Sequence, residues 1–154
     1  MNVKENGMRA AEVRLIYKSN VSSEKRAQIQ TSKDAFNVFW EYWDKDTVEH
    51  HEEFKILLLN NKNVVLGIAE ISKGGITSTI IDPRIVLQHA LKTHATGIIL
   101  GHNHPSSNPT PSESDVAITK KLIDAGKVMD IKVLDHIVVC GDGSYYSLAD
   151  EGRM

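Results

Sequence analysis

From Thr31 onward the apolar residues Ala35, Phe36, Phe39, Trp40 and Trp43 recur at intervals of three and four, the spacing of one helix face. Thr31-Ser32 offers an N-cap, so this pattern predicts a helix running to about Trp43, its aromatic stripe turned into the core. Upstream, Val13, Leu15 and Tyr17 alternate with Arg14, which predicts a first strand over 12–18, one that could lie at a sheet edge. Positions 20–29 have no clean period and read as a loop. Positions 1–8 are polar and read as a disordered or tag-like start.

Beyond the first helix, 44–53 is mostly acidic and contains His50 and His51, which reads as a solvated face. An apolar run over 54–59, broken only by Lys55, and a second over 64–71 flank an Asn-rich turn and predict a hairpin. The β-branched stretch 76–81 predicts a third strand. Asp82-Pro83 sets the cap and first position of a helix reaching about His94, with Val86, Leu87, Ala90 and Leu91 inward. His89 and His94 on that helix read as surface or packing residues. A short buried strand over 97–100 leads into a loop punctuated by Pro105, Pro109 and Pro111. The helix that starts at Ser112 runs to about Met129 on a stripe of Ile118, Leu122, Ala125 and Met129. Strands over 133–140 and 144–148 follow, joined by Gly141-Asp142-Gly143. This order predicts an α/β fold: a single domain with a mixed β-sheet flanked by helices, in which 9–51 adds a strand and helix to a core over 52–154.

Composition narrows the class. At 154 residues the chain is long enough to bury about two-thirds of the surface its unfolded form exposes. A formal charge of −2 lacks the basic excess of most nucleic-acid binders. Cys140 is the sole cysteine, which excludes a disulfide framework and a thiolate zinc cluster. No apolar run approaches the ~20 residues that span a bilayer, and the N-terminus has no signal-peptide core. The cytoplasm is therefore the expected compartment.

Chemistry concentrates around the Pro-rich loop. In an extended backbone residues two apart share a face, so His102 and His104 can reach one ion. Asp115 lies three residues before Ile118 and extends the inward stripe of its helix by one turn. A carboxylate there needs a partner, and a metal held by two histidines supplies one. Two histidines and a carboxylate leave a fourth position for water, the open arrangement of catalytic zinc, which lowers the water's pKa to about 7. Ser112-x-x-Asp115 equally suits an N-cap with an acidic residue at the third helical position. Hydrolysis also needs a general base. Glu52 and Glu53 are the candidates, and parity separates them: Glu52 shares a strand face with Phe54, Ile56 and Leu58, and Glu53 with Lys55. If Lys55 marks the polar side, Glu52 points inward.

His102-x-His104, seven residues, Ser112, two residues, Asp115 resembles the JAMM metalloprotease motif, and an upstream glutamate fits it. His102-Asn-His-Pro-Ser and Leu134-Asp135-His136 are similar to the RadC-like branch, over about Glu52 to the C-terminus. The resemblance implies a JAB fold related to cytidine deaminases, with Zn²⁺ held by His102, His104 and Asp115. It implies Glu52 as general acid/base and Ser112 as the oxyanion stabiliser of a metallopeptidase or isopeptidase acting on a peptide or protein substrate. A non-catalytic binding module of the same fold is the alternative. Nucleotide deamination usually needs a Cys-x-x-Cys pair, which a single cysteine cannot supply. Longer family members carry a helix-hairpin-helix segment before this region. The family it resembles has long been labelled as DNA repair; with only about Met1 to His51 ahead of this region and a charge of −2, no DNA-binding role is expected from the resemblance. Asp135 and His136 lie outside the metal motif and read as core residues. A homodimer contact could lie on the aromatic helix or the first strand.

Overall fold

Thr31 caps the first helix, α1 (Ser32–Tyr42), through a reciprocal pair: its hydroxyl accepts from Asp34 N–H at 3.2 Å, and Asp34 accepts from Thr31 N–H at 2.9 Å. The computed structural model in which this is seen describes residues 10–75 and 80–154. The chain then forms the hairpin β1 (Glu53–Leu59) and β2 (Val65–Lys73), helix α2 (Pro83–Lys92), strand β3 (Gly97–His104), helix α3 (Glu113–Val128), and strands β4 (Lys132–Cys140) and β5 (Tyr145–Ser147). The five strands make one mixed sheet in the order β2-β1-β3-β4-β5, with β3 and β4 parallel and every other neighbour antiparallel. This is the α/β architecture the hydrophobic pattern predicts.

The sheet is covered on both sides. Ala35, Phe36 and Phe39 of α1, with Trp43 just beyond it, pack on Leu57, Leu59, Ile99, Ile137 and Val139. The aromatic stripe is thus used inside the chain's own core. On the other face Val86 and Ala90 of α2 and Leu122 of α3 meet Phe54, Ile56, Leu58, Ile98 and Leu100. Alternate residues of β1 and β3 divide between these two layers, as the two-residue period of a strand requires. At Gly101 α1 comes close: a Cβ there would lie 2.6 Å from Phe39 Cζ.

Several elements differ from the expectation. Residues 12–18 form no strand: Val13, Leu15 and Ile16 are 82%, 80% and 68% exposed, and the Tyr17 hydroxyl donates to Leu66 O at 2.6 Å. Alternation alone does not provide a pairing edge. The place beside the start of β2 is taken instead by residues 27–29, read from sequence as loop: Val65 N–H donates to Ala27 O at 2.8 Å and Ile29 N–H to Asn63 O at 2.9 Å. The expected strand over 76–81 falls mostly on 76–79, outside the described residues, and Ile80 and Ile81 are not in a strand. Helix α2 stops at Lys92 because His94 turns left-handed (φ 57°), with Ala95 N–H donating back to Ala90 O at 2.9 Å. The buried stripe of α3 is Val116, Thr119, Leu122 and Gly126, and Met129 is exposed. The stripe read from large apolar residues missed Thr119 and Gly126, which are buried for polar contact and close approach. A Cβ at Gly126 would collide with Ile131 O.

Candidate metal centre

The Pro-rich loop begins later than its sequence suggests. Strand β3 continues through Gly101-His102-Asn103-His104, so both histidines are strand residues on one face and Asn103 lies on the other. Phe54 and Val138 flank His102 across the ladder. The side chains of His102 and Asn103 are buried.

Helix α3 begins beside the end of β3. Ser112 caps it: its Oγ accepts from Asp115 N–H at 3.1 Å, and Asp115 Oδ2 accepts from Ser112 N–H at 2.8 Å. The same Oδ2 lies 3.2 Å from His102 Nε2 and 3.2 Å from His104 Nε2, which are 2.8 Å apart. Helix cap and three-residue cluster are therefore one arrangement rather than competing readings. Among the described residues, His102, His104 and Asp115 are the one group of three or more such side chains able to converge on a single ion.

Each imidazole is anchored on its far nitrogen. His104 Nδ1 donates to Asn108 O at 2.6 Å, which ties it to the loop. His102 Nδ1 lies 2.7 Å from Nε2 of His136, a fully buried β4 residue. Burial disfavours the charge on Asp115, yet the two imidazoles, when they carry a proton on Nε2, and the Ser112 amide hold its carboxyl far below the usual carboxylate range. Burial also works against a charged His104, but Asp115 and the Asn108 carbonyl outweigh it and raise its pKa. Burial pushes His136 well below the ordinary histidine value, so it is neutral.

Glu52 lines the same cleft as His102, His104, Ser112 and Asp115, whose volume is about 600 Å³. Burial raises the Glu52 carboxyl above its ordinary value, against the opposing pull of His102 and His104. Glu53 is turned to the opposite face, where its carboxylate lies 3.2 Å from Lys73 Nζ, 3.5 Å from Lys55 Nζ and 3.3 Å from His51 Nε2. Glu52 and Glu53 thus face opposite sides, as strand parity requires, but Lys55 is buried, over the Trp43 ring, and marks no solvent side. Asn103 fixes this entry to β1. Its Nδ2 donates to Val48 O at 2.7 Å and His51 O at 2.8 Å, while its Oδ1 accepts from Glu53 N–H at 2.7 Å.

His136, read from sequence as a core residue, is fully buried, but its contact with His102, and the parts played by Asn103 and Thr119, were not read from the sequence. The signal for the His136 contact was parity, since His136 stands opposite Leu100 on parallel β4 and shares its face with His102. Seeing it requires knowing that β3 and β4 are neighbours.

Sheet order, helix placement and the cluster at the end of β3 together define a JAB-type α/β domain with a candidate metal site. The model of the RadC-like JAB domain matches residues 29–153, and the chain belongs to that family. It is 46% identical over 128 residues to a UPF0758 protein of Flavobacterium johnsoniae, covering 83% of this chain and 54% of the relative. A UPF0758 protein of Caldanaerobacter subterraneus subsp. tengcongensis is 42% identical over 124 residues, 80% of this chain and 52% of its own length. One from Alkaliphilus metalliredigens is 48% identical over 103 residues, 67% and 44% of the two chains. The chain thus spans about half the length of the curated relatives it matches.

Proposed function

We propose that this chain is a zinc-dependent hydrolase that cleaves an amide bond in a peptide or protein substrate, as a metallopeptidase or isopeptidase of the cytoplasm. The observation that carries this reading is the convergence of His102 Nε2, His104 Nε2 and Asp115 Oδ2, with mutual separations of 2.8–3.2 Å, in a cleft that also holds Glu52 and Ser112. The donor set fits zinc: two imidazole nitrogens and one carboxylate oxygen leave a coordination position open. Zinc bound there supplies Lewis acidity and brings the pKa of a water ligand to about 7.

The chain's own groups supply the rest. Glu52, its carboxyl raised by burial, takes the proton of the attacking water and passes it to the leaving amine. Ser112 Oγ already accepts from Asp115 N–H, and its O–H proton is a separate donor for the oxyanion that develops on the scissile carbonyl. Phe54, Ile81 and Ile118 line the cleft and keep apolar surface around the reacting groups.

Metal analysis should find close to one zinc per chain in the wild type and none in a His102→Ala/His104→Ala variant. Glu52→Gln should keep zinc and lose peptidase or isopeptidase activity by ~10²–10⁴-fold, the usual scale for a general base. A wild type without zinc sinks the proposal. If Glu53→Gln abolishes activity instead, the base has been assigned to the wrong glutamate.

A further inference from the structure

We infer that His136 is a positioning residue of the proposed zinc site: together with Thr119 it fixes the tautomer of His102, so that Nε2 presents a lone pair to the ion. This inference rests on the zinc reading and concerns two residues outside the metal motif.

The hydrogens can be placed starting from a group whose role is fixed. A backbone carbonyl only accepts. The Thr119 hydroxyl lies 2.7 Å from Asp115 O, so its proton is committed there. Oγ1 also lies 2.6 Å from His136 Nδ1, and with its proton used it can only accept, which places a hydrogen on His136 Nδ1. A neutral imidazole protonated at Nδ1 carries its lone pair at Nε2. His136 Nε2 faces His102 Nδ1 at 2.7 Å, so His102 Nδ1 bears the donor hydrogen. His102 Nε2 is then unprotonated, and it is the atom beside Asp115 Oδ2 and His104 Nε2. Thr119 and His136 are fully buried and His102 nearly so, which shields the chain from water that could reverse its direction.

The two histidine arms are thus anchored alike, each ending on a backbone carbonyl. His104 reaches Asn108 O directly, and His102 reaches Asp115 O through two side chains. The second arm closes a loop, because Asp115 also contributes the carboxylate of the cluster. Partners of this kind orient a ligand histidine, and their loss typically costs 10–100-fold in metal affinity.

Zinc affinity, measured by competition with a chromophoric chelator, tests this on the full chain. Thr119→Val removes the hydroxyl at nearly constant volume and should weaken zinc by about tenfold, the low end of that range because it acts through His136. Thr119→Ser should restore wild-type affinity. His136→Leu should lose more, about 10–100-fold, and His136→Gln, which keeps an acceptor near His102 Nδ1, should recover part of it. Long-range proton–nitrogen spectra should show both His102 and His136 as Nδ1–H tautomers. Should His136→Leu fail to fold, the Thr119 pair still decides. Unchanged affinity in Thr119→Val, or His102 protonated at Nε2, overturns the inference. Zinc that still requires His102 and His104 while Thr119→Val binds normally overturns this inference alone. A wild type that binds no zinc overturns both it and the zinc reading.

Discussion

Glu53 and Glu52 are neighbours with opposite surroundings. Burial works to raise the Glu53 carboxyl, but Lys73, Lys55 and His51 outweigh it and hold the pKa below its ordinary value of 4.5. A depressed folded-state pKa contributes stability that is present above the unfolded value and lost as pH falls through the folded one. Glu53→Gln should therefore cost about 3 kcal/mol at neutral pH, the low end for breaking a buried pair, since Lys55 stays buried and Lys73 can turn to water. Thermal unfolding across pH checks this. The gap between wild type and variant should be full above pH 4.5 and shrink as acid protonates Glu53 in the folded state. A gap that stays constant down to the acid limit would show that the cost comes from packing rather than charge.

At the level of elements, β3 is held between α1 below and α2 and α3 above, and Gly101 sets how closely α1 approaches. A methyl group at Gly101 would meet three carbons of the Phe39 ring at 2.6–2.9 Å. Gly101→Ala should cost about 1–3 kcal/mol, the range for overpacking a close-packed core. Because His102 is the next residue, it should also weaken metal binding. Adding Phe39→Leu should recover part of the stability, a coupling readable in a double-mutant cycle of unfolding free energies. Simple additivity of the two changes would place the strain elsewhere. The strands and helices with strong periods were legible in the sequence: α1, β1, β2 and β4 follow their apolar patterns closely. The 12–18 segment misled because its alternation says nothing about whether an edge is free. The start of β2 had already been taken by 27–29, a pairing that only the fold reveals. The second half of β3 was read as loop because Gly101, two histidines and an asparagine carry no apolar signal, although ladder pairing continues through all four.

For the molecule as a whole, the candidate site joins the end of β3, the first turn of α3 and the entry to β1, segments far apart in sequence. Any ligand that binds only the folded chain stabilises it by mass action, about 2.7 kcal/mol at one hundred times its Kd. At about 2–4 °C per kcal/mol for a chain of this size, zinc at that excess should raise Tm by roughly 5–10 °C. The His102→Ala/His104→Ala variant should not respond, and a response there would mean that zinc binds elsewhere. The fixed motif spacing made His102, His104 and Asp115 legible as a group, since a strand and a helix mouth each place side chains predictably. His136 was legible as a core residue, but its contacts with His102 and Thr119 were not. Thr119 and His136 meet through the contact of α3 with β4, and no local period records which helix will cover which strand.

With the proposed ion bound, Asp115 would tie its departure to the motion of a helix end. Its Oδ2 caps the Ser112 amide and lies against both histidines. The first turn of a helix ordinarily frays without consequence for the rest of the protein. Here each fraying event would withdraw one of three donors from the cluster. Opening of this turn would thus provide the natural route for an ion to leave, and a well-capped α3 would set how long it stays.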